Sequence, residues 1–140
     1  MHFKSQTTKI SNNAMSVTLF PHQHRAVEWM QRTEQRPRMV QDQPHGGILA
    51  HAMGLGKTIT MLSMVQRQGL QSTIVVCPKS VLTQWRDEAL RILSLDADTE
   101  IVMYHGNNRQ QLLEASNPGR RLVLTTFDIV RMESKAPDGK

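Results

Sequence analysis

Apolar residues fall into short unbroken blocks, separated by stretches in which they recur every three or four positions. The first periodic stretch is "PHQHRAVEWMQRTEQ", 21–35, where Pro21 suits a first helical turn and Ala26, Val27, Trp29 and Met30 supply an apolar side. "RPRMVQDQPH" (36–45) breaks the periodicity with two prolines and reads as a loop. "GGILA" (46–50), apolar and glycine-led, is predicted to be a buried strand, and "KTITMLSMVQRQ" (57–68) a helix closed by Gly69. The alternation then repeats. "TIVVCP" (73–78) predicts a strand stopped by Pro78, and "VLTQWRDEALRIL" (81–93) a helix with Ser80 as its N-cap. "EIVMYHG" (100–106) reads as a third strand, "NRQQLLEAS" (108–116) as a short helix and "RLVLTTF" (121–127) as a fourth strand. Strands without polar alternation, spaced by helices, imply an α/β fold whose parallel sheet is covered on both faces.

The flanks differ from this pattern. Residues 1–16 carry some positive charge but no apolar h-region, so they read as a flexible lead-in and not as a secretory signal. The tail "ESKAPDGK" (133–140) offers nothing to a core, so 132–140 is expected to fray, leaving 17–131 as the folded unit. The 140 residues are enough for one domain with a real core and too few for two. A formal charge of +5 favours a polyanionic partner, although an inert basic surface has the same sum. Cys77 is the single cysteine, which rules out an internal disulfide and fits a reducing compartment. No apolar run reaches the ~18 residues that would argue a membrane span.

"AHAMGLGKT" (50–58) sits between the predicted strand and helix, the context in which a glycine loop cradles phosphate. Gly54 and Gly56 allow close approach of backbone N–H groups, and the helix N-terminus adds partial positive charge. Lys57 would reach the outer phosphates and the Thr58 hydroxyl would take a place on Mg²⁺. The strict pattern G-x-x-x-x-G-K-[ST] is not met, because His51 stands where it asks for glycine. The alternative is a solvated glycine turn with an exposed lysine.

Five blocks, "LFPHQHRAVEWM", "GGILAHAMGLGKTIT", "TIVVCPKSVLTQWRDE", "VMYHG" and "LVLTTFDIV", follow one another as do the opening motifs of the SWI/SNF-type helicase-like ATPases, which the chain resembles over roughly 18–130. Those are DNA translocases of helicase superfamily two, and the resemblance is to the first of their two RecA-like lobes. The "PHQ…WM" opening is most similar to the branch acting in DNA repair and transcription termination. The resemblance implies a RecA-like P-loop three-layer sandwich with a mostly parallel sheet, present as an incomplete first lobe. It implies ATP and Mg²⁺ as cofactors, double-stranded DNA in chromatin as partner, a nuclear location and no membrane.

Residue by residue, Gln23 matches the glutamine that reads adenine, a task its donor and acceptor suit, and a helix-surface glutamine is the alternative. Met53, Gly54, Leu55, Gly56, Lys57 and Thr58 match the phosphate loop. Pro78, Lys79, Ser80, Gln84 and Trp85 match a segment touching the DNA backbone, with core packing favoured for Trp85. Thr125 and Thr126 match a second such segment, or are β-branched residues ending a strand.

His51 and Ala52 stand where that family carries two acidic residues. The acidic pair that orders Mg²⁺ and the attacking water is expected beyond residue 140, as is the second lobe. Asp87-Glu88-Ala89 imitates the pair, but Asp87 falls in mid-helix, and Asp128 is a lone carboxylate after "LVLTTF". His22, His24, His45 and His51 lack the spaced cysteines of a zinc site. The expected function is therefore an ATP-binding fragment of a DNA-dependent ATPase, with its own hydrolysis open. A non-catalytic nucleotide- or DNA-binding module is the alternative, and a small kinase using Asp128 ranks below both.

Overall fold

Two helices precede alternating strands and helices in a computed structural model that describes residues 17–35, 46–69, 72–93, 100–116 and 121–135. Their order is α1 (Pro21–Glu34), α2 (Lys57–Arg67), β1 (Thr73–Val76), a 3-10 turn (Lys79–Val81), α3 (Leu82–Ile92), β2 (Glu100–Met103), α4 (Arg109–Ala115), β3 (Arg121–Thr125) and α5 (Phe127–Glu133). The lead-in 1–16, the loop 36–45 and residues 136–140 lie outside the described residues.

The sheet is parallel in the order β1-β3-β2, so the last strand inserts between the first two. Thr73 pairs with Leu122 and Val76 with Thr125 on one side of β3, while Ile101 pairs with Leu122 and Met103 with Leu124 on the other. This register puts Val75, Leu122, Leu124, Ile101 and Met103 on one face. Leu62 of α2 and Leu82, Ala89 and Ile92 of α3 close over that face as a single cluster. Full burial of side chains such as Leu62, Ile92, Leu122 and Leu124 contributes about 1.5–3 kcal/mol each relative to exposure. Val102 and Val123 of the opposite face are also buried, and α4 packs against β2. A second cluster joins α1 to α2 through Leu19, Val27, Met30 and Met64.

Three expectations need correction. "GGILA" (46–50) is not in the sheet, and Ile48 is 86% exposed. Its composition suits a strand, but a strand exists only where a neighbour pairs with it, and among the described residues none does. Ser80 does not cap α3: it lies inside the 3-10 turn, closed by Val81 N–H donating to Pro78 O at 3.1 Å, and α3 starts without a side-chain cap. β3 ends at Thr125, where "RLVLTTF" predicts a strand through Phe127. The Thr126 hydroxyl accepts from Ile129 N–H at 3.4 Å and opens α5 instead, which runs on to Glu133 across the boundary drawn after 131.

Candidate phosphate-binding site

The loop before α2 is built around two left-handed residues, Gly54 at φ +83° and Gly56 at φ +72°. Residues with a Cβ avoid that region, so these positions require glycine for conformation alone. Met53 between His51 and Gly54 is 96% exposed, and the loop is open above Gly54, where an added Cβ would meet nothing within 4 Å. Gly56 is the N-cap of α2. Thr60 N–H is the first to find a helical acceptor, Gly56 O at 3.0 Å, and the buried Thr60 hydroxyl donates to the same oxygen at 2.8 Å. That leaves the N–H groups of Lys57, Thr58 and Ile59 at the helix start to point toward an outside acceptor. The Lys57 ammonium folds back over the loop and donates to His51 O at 2.9 Å and Ala52 O at 3.2 Å. The residues thus fit a bound phosphate with its Mg²⁺: an open glycine turn, a lysine held across it, helix N–H groups beneath and the Thr58 hydroxyl in the first turn.

α1 braces this loop from the side. Gln23 is buried at 4%, not on the helix surface. Its Oε1 accepts from Phe20 N–H at 2.9 Å, and its Nε2 donates to Leu55 O at 3.2 Å. A carboxamide has two donors and two acceptor sites, so these two bonds leave one of each unused. The His22 ring meets Leu55 O as well, at 3.3 Å from Nε2, stacks on Phe20 and packs edge-on against His51 with centroids 5.3 Å apart. Gly56 has a second reason to be glycine here, since an added Cβ would lie 2.5 Å from Gln23 Nε2. At the other end of the loop an added Cβ on Gly47 would overlap the Trp29 ring. The sequence offers His22 only among histidines that lack the cysteines of a zinc site, and Trp29 only as part of the apolar side of α1. The only signal was the "PHQ…WM" and "GG" pattern, whose meaning lies in contacts between segments far apart in the chain.

The DNA-contact candidates lie at and after the ends of β1 and β3. Val76 and Thr125 are register partners, and Cys77 N–H donates to Thr125 O at 3.0 Å, so the segments holding Lys79 and Thr126 leave the sheet at one end. Ligands of open parallel sheets gather at that carboxyl end of the strands. Lys79, Ser80 and Gln84 are exposed there. Thr125 and Thr126 are each 3% exposed; the Thr125 hydroxyl donates to Tyr104 O at 3.0 Å, and Thr126 caps α5. Trp85 packs against the main core cluster.

Asp87 lies within α3 and pairs at the surface with Arg86 at 2.9 Å. Asp128 is exposed in the first turn of α5. Among the described residues no three His, Cys, Asp or Glu side chains converge to hold a metal, with His45 outside that set. Cys77 is buried, which raises its thiol pKa. Beyond β2, Tyr104 donates to Glu133 Oε1 at 3.2 Å, and Arg109 Nε donates to the same oxygen at 3.1 Å, tying the start of α4 to the end of α5.

Residues 22–138 match the family model described as SNF2-related domain. A probable global transactivator of Orgyia pseudotsugata multicapsid polyhedrosis virus is 35% identical, over 84% of this chain and 22% of that protein. DNA repair protein rad5 of Aspergillus fumigatus is 35% identical over 64% of this chain and 10% of its own length. Transcription termination factor 2 of Drosophila melanogaster is 30% identical over 87% of this chain and 14% of its own length. The chain therefore spans less than a quarter of each of these relatives. Among the described residues no helix is long and apolar enough to cross a membrane.

Proposed function

We propose, for a chain that belongs to the SNF2-related domain family, that the loop 50–58 and α1 bind ATP or ADP with Mg²⁺. One observation carries this reading: two left-handed glycines run directly into α2 with the Lys57 ammonium held across the turn they make. In the bound form Lys57 exchanges the carbonyls of His51 and Ala52 for phosphate oxygens, and the Thr58 hydroxyl meets Mg²⁺. The free donor and acceptor of Gln23 would take the adenine edge. Titration of a fluorescent ATP analogue against wild type and Lys57→Ala tests it. Losing a charge-assisted bond of about 1.5–3 kcal/mol weakens Kd roughly tenfold or more. Equal affinity in the two proteins would sink the reading.

The second part of the proposal is a double-stranded DNA partner, in keeping with a relative named as a DNA repair protein, and with the nucleus as the place of action. Exposed Lys79, Ser80 and Gln84 favour it, and they serve the backbone and not the bases. Anisotropy measured against salt should lose about one unit of slope in Lys79→Ala, and an unchanged slope would remove Lys79 from the interface.

For the 140 residues alone we favour binding over turnover. β1 runs into Cys77-Pro78, β2 into Tyr104-His105 and β3 into Thr125-Thr126, so among the described residues no strand ends in an acidic pair.

A further inference from the structure

We propose that Trp29 is a positioning residue for the phosphate loop, acting through Gly47. The proposal's nucleotide arm rests on the binding reading above. Within 46–56 the backbone bonds to itself through Leu55 N–H and Ala52 O at 3.4 Å, so neither a sheet ladder nor a helix holds the segment. Its shape must come from what leans on it. α1 does so opposite two glycines, with Gln23 against Gly56 and Trp29 over Gly47, and His22 adds contacts to Leu55 O and the His51 ring between them.

The contact at Gly47 is the less expected one. Gly47 has no left-handed backbone to explain it; what forbids a side chain there is the indole, whose Cη2 and Cζ2 edge an added Cβ would overlap. Gly46, its neighbour, is free of any such constraint, with nothing within 4 Å of an added Cβ. Trp29 is not a core anchor either. It is 44% exposed, whereas Ala26, Val27 and Met30 of the same helix are buried, and Val27 and Met30 carry the packing onto α2. A rigid bicyclic ring standing partly in water over one glycine fixes how near the backbone at 47 comes to α1. With Gln23 fixing Leu55, the helix sets both ends of the segment that carries His51, Ala52 and the carbonyls seating Lys57.

The test is size compensation, read first without nucleotide. Amide hydrogen exchange over 52–60 is compared in wild type, Gly46→Ala, Gly47→Ala, Trp29→Leu and the double variant Gly47→Ala/Trp29→Leu. Gly47→Ala and Trp29→Leu should each speed loop exchange about fivefold or more, as expected when a local brace is lost. Gly46→Ala and the double variant should stay within about twofold of wild type, because an isolated methyl has room in one and replaces lost ring volume in the other. Should Gly47→Ala fail to fold, recovery of folding in the double variant is the same rescue. A double variant no better than Gly47→Ala alone, or single variants exchanging like wild type, overturns the proposal. The fluorescent ATP analogue forms the second arm, with Kd expected to follow the same order. Absence of Lys57-dependent binding in wild type would refute the nucleotide reading, while the exchange data would still decide on Trp29.

Discussion

At the scale of single residues, Gly56 answers to two constraints at once, the left-handed φ of +72° and the 2.5 Å approach of Gln23 Nε2 to any added Cβ. Gly54 answers to its φ of +83° alone. Gly54→Ala is therefore expected to cost about 1–2 kcal/mol for the backbone, and Gly56→Ala more, because it also pushes Gln23 off Leu55 O. Urea denaturation of the two variants checks the order; equal losses would mean the Gln23 contact is irrelevant. Cys77 gives a simpler expectation. Burial raises its thiol pKa, so at pH 8 the folded chain should react with a disulfide reagent much more slowly than the chain in urea. Lys57 and Thr58 were legible in "GLGKT" as the start of a helix after a glycine turn, because that signal is local to the loop. Gln23 was legible as a residue but not as a brace, since its partner Leu55 is 32 positions away.

At the scale of elements, α5 shows how a strand pattern can end early. "LVLTTF" is apolar or β-branched at every position, and nothing in its periodicity separates Thr125, in the ladder, from Thr126, in a cap. Thr126→Ala should destabilise the chain by about 0.5–2 kcal/mol, the usual cost of a lost N-cap, measured by chemical denaturation. No loss would mean that packing of Ile129 alone holds the helix. The far end of α5 is held by Glu133. The Tyr104 hydroxyl pKa is raised above its ordinary 10.0, first by burial and then by the bond and charge of Glu133, with Arg109 pulling the other way. A raised folded value means the contribution is whole below pH 10.0 and lost as pH rises through the folded value. Tyr104→Phe should accordingly lose about 0.5–1.5 kcal/mol at pH 8 and show a flatter decline of stability above pH 10 than wild type. Parallel declines would remove Tyr104 as the cause.

At the scale of the whole molecule, the proposed reading is binding without turnover, so hydrolysis is expected to be slow. Phosphate release by residues 1–140 should stay near the uncatalysed background with or without duplex DNA, and DNA-stimulated release lost in Lys57→Ala would overturn that expectation. The sequence by itself determined the α/β class, the parallel sheet, α1 and α2 nearly to the residue, and the loop with its lysine. Apolar periodicity and glycine placement are local signals, and each of those elements is specified by its own residues. Only the tertiary structure decided that "GGILA" stays out of the sheet, that Thr125 and Thr126 turn their hydroxyls inward, and that Gly47 and Gly56 make room for Trp29 and Gln23. Pairing, burial and close approach are properties of two segments at once, and a pattern read along one segment carries no record of the other.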